Sequence, residues 1–276
     1  SFTRGRIDEL QEFSTCSMQV ILSNSSGAFT PDYSPLVTPG RPIRILCEYN
    51  GTRYEACFGY VDEWSVEYPQ HGKDATATAD CSGIFTMLTN ARSDTYLDFQ
   101  YTTDRIVQMV SEAGDIEVDI RTPGTILMPD FELYETDINS VVRAAAQTEF
   151  GQLFESKTGG LRFDGRGARF QQISPKIVFG DDPEIETQYE DAKWDYSQNK
   201  IFNRVTVTAD PDAPDTVIDT ESAALYGTKQ YSMDIDAVNS VDDPSYNTTY
   251  SESLANFILG RYAQPALRIN SIGLHP

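Results

Sequence analysis

Histidine, base and long apolar runs are all scarce in this sequence, and each scarcity closes a door. No apolar stretch approaches the roughly 20 residues that a membrane-crossing helix needs. The two histidines, His71 and His275, stand far apart, so neither offers a Ser/His/Asp or Cys/His relay at a suggestive spacing. Four cysteines contain no CxxC pair, and with so little histidine no common zinc pattern can be assembled. GxSxG, HExxH and phosphate-cradling glycine loops are absent. Base is short as well: 21 Lys and Arg face 42 Asp and Glu, a net charge of −21. Gripping nucleic acid requires protein cations to replace phosphate counterions, so this balance argues against it.

What is present fits a globular chain. With 276 residues, 39% hydrophobic and 23% charged, it can bury a core in one to three domains. It opens on Ser1 without a visible signal peptide, which leaves room for a trimmed N-terminus. The acidic surplus reads as solvated surface; the sharper alternative is an acidic channel wall that repels passing DNA.

The first ninety residues alternate in the manner of strands. Cys16, Met18, Val20 and Leu22 share one face, and Ile43, Ile45, Cys47 and Tyr49 share another. Prolines 31, 35, 39 and 42 mark a long loop between them. Asn50-Gly51 signals a hairpin, since both positions accept positive φ. Gly59, inside the returning strand 54–66, suggests a bulge or bend. Ala75, Ala77, Ala79 and Cys81 then line a face of small residues, as a tapering barrel requires. The cysteines are expected as free buried thiols, for cysteine packs as a small hydrophobe. Cys47 and Cys57 flank the hairpin turn, and a disulfide between them is not expected in a reducing cytosol.

The middle changes period. Thr103 or Asp104 is placed to cap a helix bearing Ile106, Met109, Val110 and Ala113, stopped by Gly114. Thr136 is placed to cap a second, with Ile138, Val141, Val142, Ala145 and Ala146 on one side. A hairpin follows, 152–156 and 161–163. The last third returns to strands at 199–208 and 268–274, with a helix capped by Ser251 between them. The closing sheet looks unfinished at Pro276, as in a fragment of a longer protein.

Carboxylate pairs (Asp62-Glu63, Glu132 and Glu135, Glu184 and Glu186) raise the question of a glycosidase. In so acidic a chain such pairs arise by chance, and each lies in a run resembling a solvated face. Asp210, Asp212 and Asp215 resemble a calcium loop but lack its glycine and distal glutamate. No catalytic residue, cofactor or metal ligand is therefore assigned. The basic lead differs: Arg4 and Arg6 are forks for carboxylates or carbonyls, either the chain's own or a neighbour's. Glu9, Leu10 and Phe13 continue it as a short amphipathic turn. Arg4, Arg6, Glu9 and Phe13 are the interface candidates.

In order, Arg4-Gly5-Arg6, Glu9-Leu10, Phe13, Val20-Ile21-Leu22-Ser23-Asn24 and Gly27-Ala28-Phe29 resemble the opening of baseplate hub proteins of long-tailed bacteriophages. The likeness is to siphophage tail hubs, among them the minor tail proteins of actinobacterial phages. Thr15-Cys16 departs from the small residue common there. Phe58-Gly59-Tyr60-Val61-Asp62, the run Ala144 to Phe154 with Gly160-Leu161-Arg162-Phe163, Asn203 to Val207 and Pro265 to Ile269 continue the likeness. The acidic stretch 215–245 has no counterpart. The resemblance implies a mainly β fold with an α/β insertion, two tube-type β-barrels in one chain, the second incomplete. Boundaries follow at 1–96, 97–190 and 191–276. It implies a homotrimeric ring that meets the distal tail protein ring, the tape measure protein and other tail-tip or fibre proteins, passes DNA without binding it specifically, and has no enzymatic activity. The place would be the distal end of the virion tail, after assembly in the host cytoplasm. A distal tail ring protein, a baseplate module that binds host carbohydrate through Tyr226, Tyr231, Tyr246 and Tyr250, and a wall-degrading enzyme are the competing readings.

Overall fold

Alternation in the first ninety residues becomes one antiparallel sheet. A computed structural model describes residues 1–6, 10–31, 34–35, 37–49, 51–69, 74–168, 177–180, 182, 184, 186–209, 214–236 and 244–274; for 49, 244–249, 268, 270 and 274 it describes the backbone. The sheet's strands are β1 (Phe2–Gly5), β2 (Ser14–Ser23), β3 (Pro42–Tyr49), β4 (Thr52–Glu67) and β5 (Thr76–Ser82). Their order is β1-β2-β5-β4-β3, an open sheet curled as half a barrel. Along β5 the small-residue face is buried and Thr76, Thr78 and Asp80 are half-buried, as period-two patterning demands. Gly59 sits where a Cβ would lie 2.6 Å from Met18 Cε and 2.7 Å from the Ser82 carbonyl, so only glycine fits. Register shifts fall on either side of it, at Ile45/Leu46 and Val61/Glu63.

One expectation fails in this sheet. Cys47 is exposed, whereas Cys16, Cys57 and Cys81 are buried, and all four thiols are free. The reason is topological. β5 pairs with β4 only from Tyr60 to Glu67, so the far end of β4 has β3 as its sole described neighbour. Leu46, Cys47 and Tyr54 thus lie exposed on a two-stranded arm with no third described strand beside it. Gly51, at φ +75°, turns that arm; Asn50 lies outside the described residues.

The chain after Ser82 becomes helical where the sequence suggested only the end of a strand. Helix α1 (Ile84–Asn90) buries Ile84, Phe85 and Leu88. Short strands β6 (Arg92–Ser93), β7 (Tyr96–Leu97) and β8 (Gln100–Tyr101) lead to α2 (Thr102–Ala113). Ile106, Met109 and Val110 form its buried face and Gly114 ends it, as expected. Its N-terminus differs: Tyr101 precedes it without a side-chain cap, while the Thr103 hydroxyl accepts from Gly124 N at 2.6 Å. After β9 (Val118–Thr122), β10 (Leu127–Met128), β11 (Phe131–Glu132) and β12 (Thr136–Asp137) comes α3 (Ile138–Thr148). Its cap is Asp137, not Thr136, accepting from Ser140 N at 2.8 Å. The expected hairpin is β13 (Gln152–Glu155) with β14 (Leu161–Asp164), and β9 adds parallel to β14. α1, α2 and α3 close over these strands around Leu88, Ile106, Met109, Val142, Leu161 and Phe163.

By contact density the chain separates into Ser1–Gly167 and Ala168–Pro276. The first unit takes in the region expected as the N-terminal barrel and most of the insertion. The second holds β15 (Tyr189–Asp195), β16 (Arg204–Thr208), β17 (Asp215–Ile218), α4 (Thr220–Tyr226), β18 (Gln230–Asp234), α5 (Pro244–Tyr262) and β19 (Arg268–Leu274). β16 lies between β17, antiparallel, and β18, parallel; β15 pairs with β19. Helix α5 begins before the expected cap, and Ser251 is buried within it. Buried Asn203 is fully used: Lys229 N donates to its Oδ1, and its amide donates to Ser222 Oγ and the Gly227 carbonyl. The mainly β class with an α/β insertion is the one expected. No helix among the described residues is long and apolar enough to cross a membrane.

Candidate subunit interface

The basic lead turns back on its own chain. Arg4 Nη2 donates to the Glu155 carbonyl at 3.0 Å. Arg6 stands over the Phe13 ring, 4.7 Å from its centroid, and that ring lies 5.1 Å from Phe154. Arg4, Gly5, Phe13, Ser14, Phe154 and Glu155 line a small open cleft of about 60 Å³. Three of the four sequence candidates are thus together, and Glu9 lies outside the described residues. The cleft presents an exposed cation and half-buried aromatic rings, and the Ser14 hydroxyl in its wall donates to the Gly5 carbonyl. A cation beside ring faces suits an acidic or planar group.

Two residues that the sequence reading missed hold this cleft in place. Glu155 faces inward from β13 beside buried Leu153, and its strand partner is Leu161. Its Oε1 accepts from Phe85 N (2.7 Å) and the Thr15 hydroxyl (3.1 Å), and its Oε2 from Cys16 N (2.6 Å). The carboxylate therefore caps α1, whose preceding residue, Gly83, has no side chain to do so. A Cβ on Gly83 would meet Glu155 Oε2 at 2.1 Å. Burial raises the Glu155 pKa, against the pull of these donors and of Arg143. Arg143 of α3 stacks 4.1 Å over Phe85 and reaches the lead, donating to Glu12 at 2.5 Å and to the Phe13 carbonyl at 3.0 Å. A carboxylate on the core side of a strand and a lone cation in an alanine-rich helix were the available signals.

A second buried carboxylate repeats the device. Glu149 Oε2 accepts from the Thr102 hydroxyl and from the amides of Thr125 and Ile126. Burial raises its pKa as well. Two of the sheet's thiols are poor nucleophiles: burial, with Cys57 beside it, pushes Cys16 up to about 12, and burial pushes Cys81 up to about 11. Of the acid pairs singled out earlier, Asp62 accepts from Ser82 and Glu132 from Tyr134, as structural acceptors. Asp210, Asp212, His71 and His275 lie outside the described residues. Among the described residues no group of His, Cys, Asp and Glu is placed to hold a metal. Of the tyrosines proposed for sugar binding, Tyr231 packs 5.4 Å from Phe202 and is half-buried, and the side chain of Tyr246 lies outside the described residues.

No family model matches this chain, and no curated protein matches it in sequence. Its fold does match solved structures. The 43 kDa tail protein of prophage MuSo2 from Shewanella oneidensis aligns at a TM-score of 0.55 and 14% identity, over 95% of this chain and 73% of that one. The tail protein from Neisseria meningitidis MC58 aligns at 0.53 and 10% identity, over 80% of this chain and 62% of that one. The present chain therefore spans under two thirds of the Neisseria protein's length. At this identity the likeness is one of fold.

Proposed function

We propose that the chain is a structural component of a phage tail: a hub protein, of the siphophage kind, at the distal end of the virion tail, assembled in the host cytoplasm. The observation that carries this is the fold likeness to a phage tail protein over 95% of the chain. In this reading three copies form a ring that ends the tail tube, joins the distal tail ring, the tape measure and the tip proteins, and opens for DNA ejection. The regions 1–96 and 191–276 act as its two barrel elements and 97–190 as an insertion between them. A cyclic ring needs a heterologous seam, one face of a copy against a different face of the next. The Arg4–Phe13 cleft and the uncovered β3–β4 arm are suited to be its two sides. An acidic bore gives phosphate no ligand, so DNA would slide through it. No catalytic step is assigned to the chain.

Native mass spectrometry of the purified protein tests this reading, with three copies expected. A monomer at every concentration overturns the ring, and six copies favour the distal tail ring instead. Arg4→Glu combined with Phe13→Ser should weaken trimer formation about tenfold, the effect of losing one well-buried contact. An unchanged trimer removes the cleft from the seam.

A further inference from the structure

The insertion carries a surface that none of the packing above uses. β7 and β11 pair antiparallel and set Tyr96 opposite Glu132. Leu133 N donates to the Thr95 carbonyl at 3.1 Å, and Glu135 N to Asp94 Oδ1 at 2.5 Å. Segments 94–97 and 131–135 are therefore one continuous surface. Tyr96 and Tyr134 stand on one face of it at 54% and 73% exposure, with Asp130 and Glu132, while Phe131 pairs with buried Leu97 and turns to the other face. Phe99 and Tyr101, adjoining in sequence, are exposed too. Buried Arg105 ties the turn before α2 to this surface: it donates to the carbonyls of Asp98 and Pro129 and lies 5.1 Å from the Phe131 ring. Single exposed aromatics need no explanation, but Tyr96 and Tyr134 set on one face with Asp130 and Glu132 between them make a patch.

The charges choose the occupant. Asp94, Asp98, Asp130, Glu132 and Glu135 are all exposed, and segments 94–101 and 130–135 contain no lysine or arginine. Nearby Arg92 is engaged by Asp137 and by the Glu135 carbonyl. Tyr96 donates its hydroxyl to Asp130 and Tyr134 donates to Glu132, which raises both phenol pKa values. Those hydroxyls are thus spent, and the ring faces are what remains to bind. Ring faces beside carboxylates suit guanidinium and ammonium groups. A second copy presenting the same face meets like charge, as does a nucleic acid or an acidic glycan. A neutral glycan makes no use of the charge.

We propose that this face docks an arginine- and lysine-rich segment of a different polypeptide, with its cations over the rings of Tyr96 and Tyr134 and against Asp130 and Glu132. The proposal stands apart from the ring and its seam.

Fluorescence anisotropy with a labelled peptide of alternating arginine and alanine, in physiological salt, tests it. Tyr96→Ser with Tyr134→Ser leaves the net charge unchanged and should weaken binding about tenfold. Asp130→Asn with Glu132→Gln should do the same, whereas Glu190→Gln with Glu221→Gln, an equal charge loss elsewhere, should cost less than about twofold. No effect of the tyrosine pair, or equal effects of the two acid pairs, means that the peptide senses net charge alone and overturns the proposal. Tyrosine-dependent binding of a neutral chito-oligosaccharide without peptide binding overturns it in favour of a sugar site. Should a variant misfold, hydrogen exchange on the unmodified protein keeps the test open: the peptide should protect 94–101 and 130–135, and protection elsewhere counts against the site.

Discussion

Two cores within the first unit are built on opposite plans. In the insertion, Leu97, Ile106, Met109, Leu161 and Phe163 are large and essentially inaccessible. In the five-stranded sheet the buried set is Cys16, Met18, Cys57, Val61, Ala79 and Cys81, mostly small, and Val20, Ile43, Ile45 and Trp64 beside it are only partly covered. Burial stabilises by about 25 cal/mol per Å² of apolar surface, so large enclosed side chains give the insertion more than small ones give the sheet. The insertion is complete in itself. Among the described residues β1 and β3 are the sheet's unpaired edges, and its rim keeps partly covered apolar side chains. In the proposed ring, a neighbouring copy would finish that burial.

Truncating a core side chain in each region is the most forceful way to break the comparison. Phe163→Ala should cost about 3–5 kcal/mol, the usual penalty for an enclosed phenylalanine that leaves a cavity. Glu155→Ala comes next, at about 2–3 kcal/mol, because it strands the amides of Cys16 and Phe85 without an acceptor. Cys57→Ala in the sheet should cost only about 1 kcal/mol. Urea denaturation followed by circular dichroism measures all three. If Cys57→Ala matches Phe163→Ala, the contrast between the cores is wrong.

Acidity sharpens the same contrast at the junction of the two regions. Glu149 and Glu155 have folded-state pKa values raised above their ordinary 4.5. Between that value and the raised one the folded chain holds more protons than the unfolded chain. Their contribution is therefore fully present below about pH 4.5 and is lost as pH rises through the folded values. Unfolding free energy of the unmodified protein should fall across mildly acidic pH more steeply than that of a Glu149→Gln, Glu155→Gln variant. Parallel curves would show that hydrogen bonding to the carboxylates cancels their desolvation.

How much of this the sequence disclosed follows from the range of the forces involved. Faces with clean periodicity were legible, such as Ala75 to Cys81 on β5, Ile106 to Val110 on α2 and Leu161 to Phe163 on β14. Gly114 as a stop was legible because its conformation is its own. Helix α1 was not, since its seven residues carry no capping side chain and its N-terminus is satisfied by Glu155, about 70 residues away in sequence. The cap of α3 was misplaced by one residue for a local reason: Thr136 and Asp137 are both competent and both pair with β6, and Asp137 is the one directly before the first helical residue, Ile138. Of the candidate site, the lead residues Arg4, Arg6 and Phe13 were visible as an unusual basic run. Arg143 and Glu155, which position it, act across more than a hundred residues of chain, and local pattern does not report such distances.

The smallest expected effect concerns reactivity, and it separates the covered part of the sheet from the uncovered part. Cys47 shares strand β3 with Ile43 and Ile45 but lies on the two-stranded arm, beyond the reach of β5. Cys16 and Cys81 are buried, and burial keeps them protonated, with values near 12 and 11. A thiol reagent at neutral pH should therefore label one cysteine per native chain, Cys47, with no measurable change in stability, and the remaining three only in urea. Rapid native labelling of Cys57 or Cys81 would mean that the sheet opens on its own and that its core is weaker than its burial suggests. Slowed labelling of Cys47 as protein concentration rises would instead place a neighbouring chain on the arm, where β3 pairs with β4 alone among the described strands.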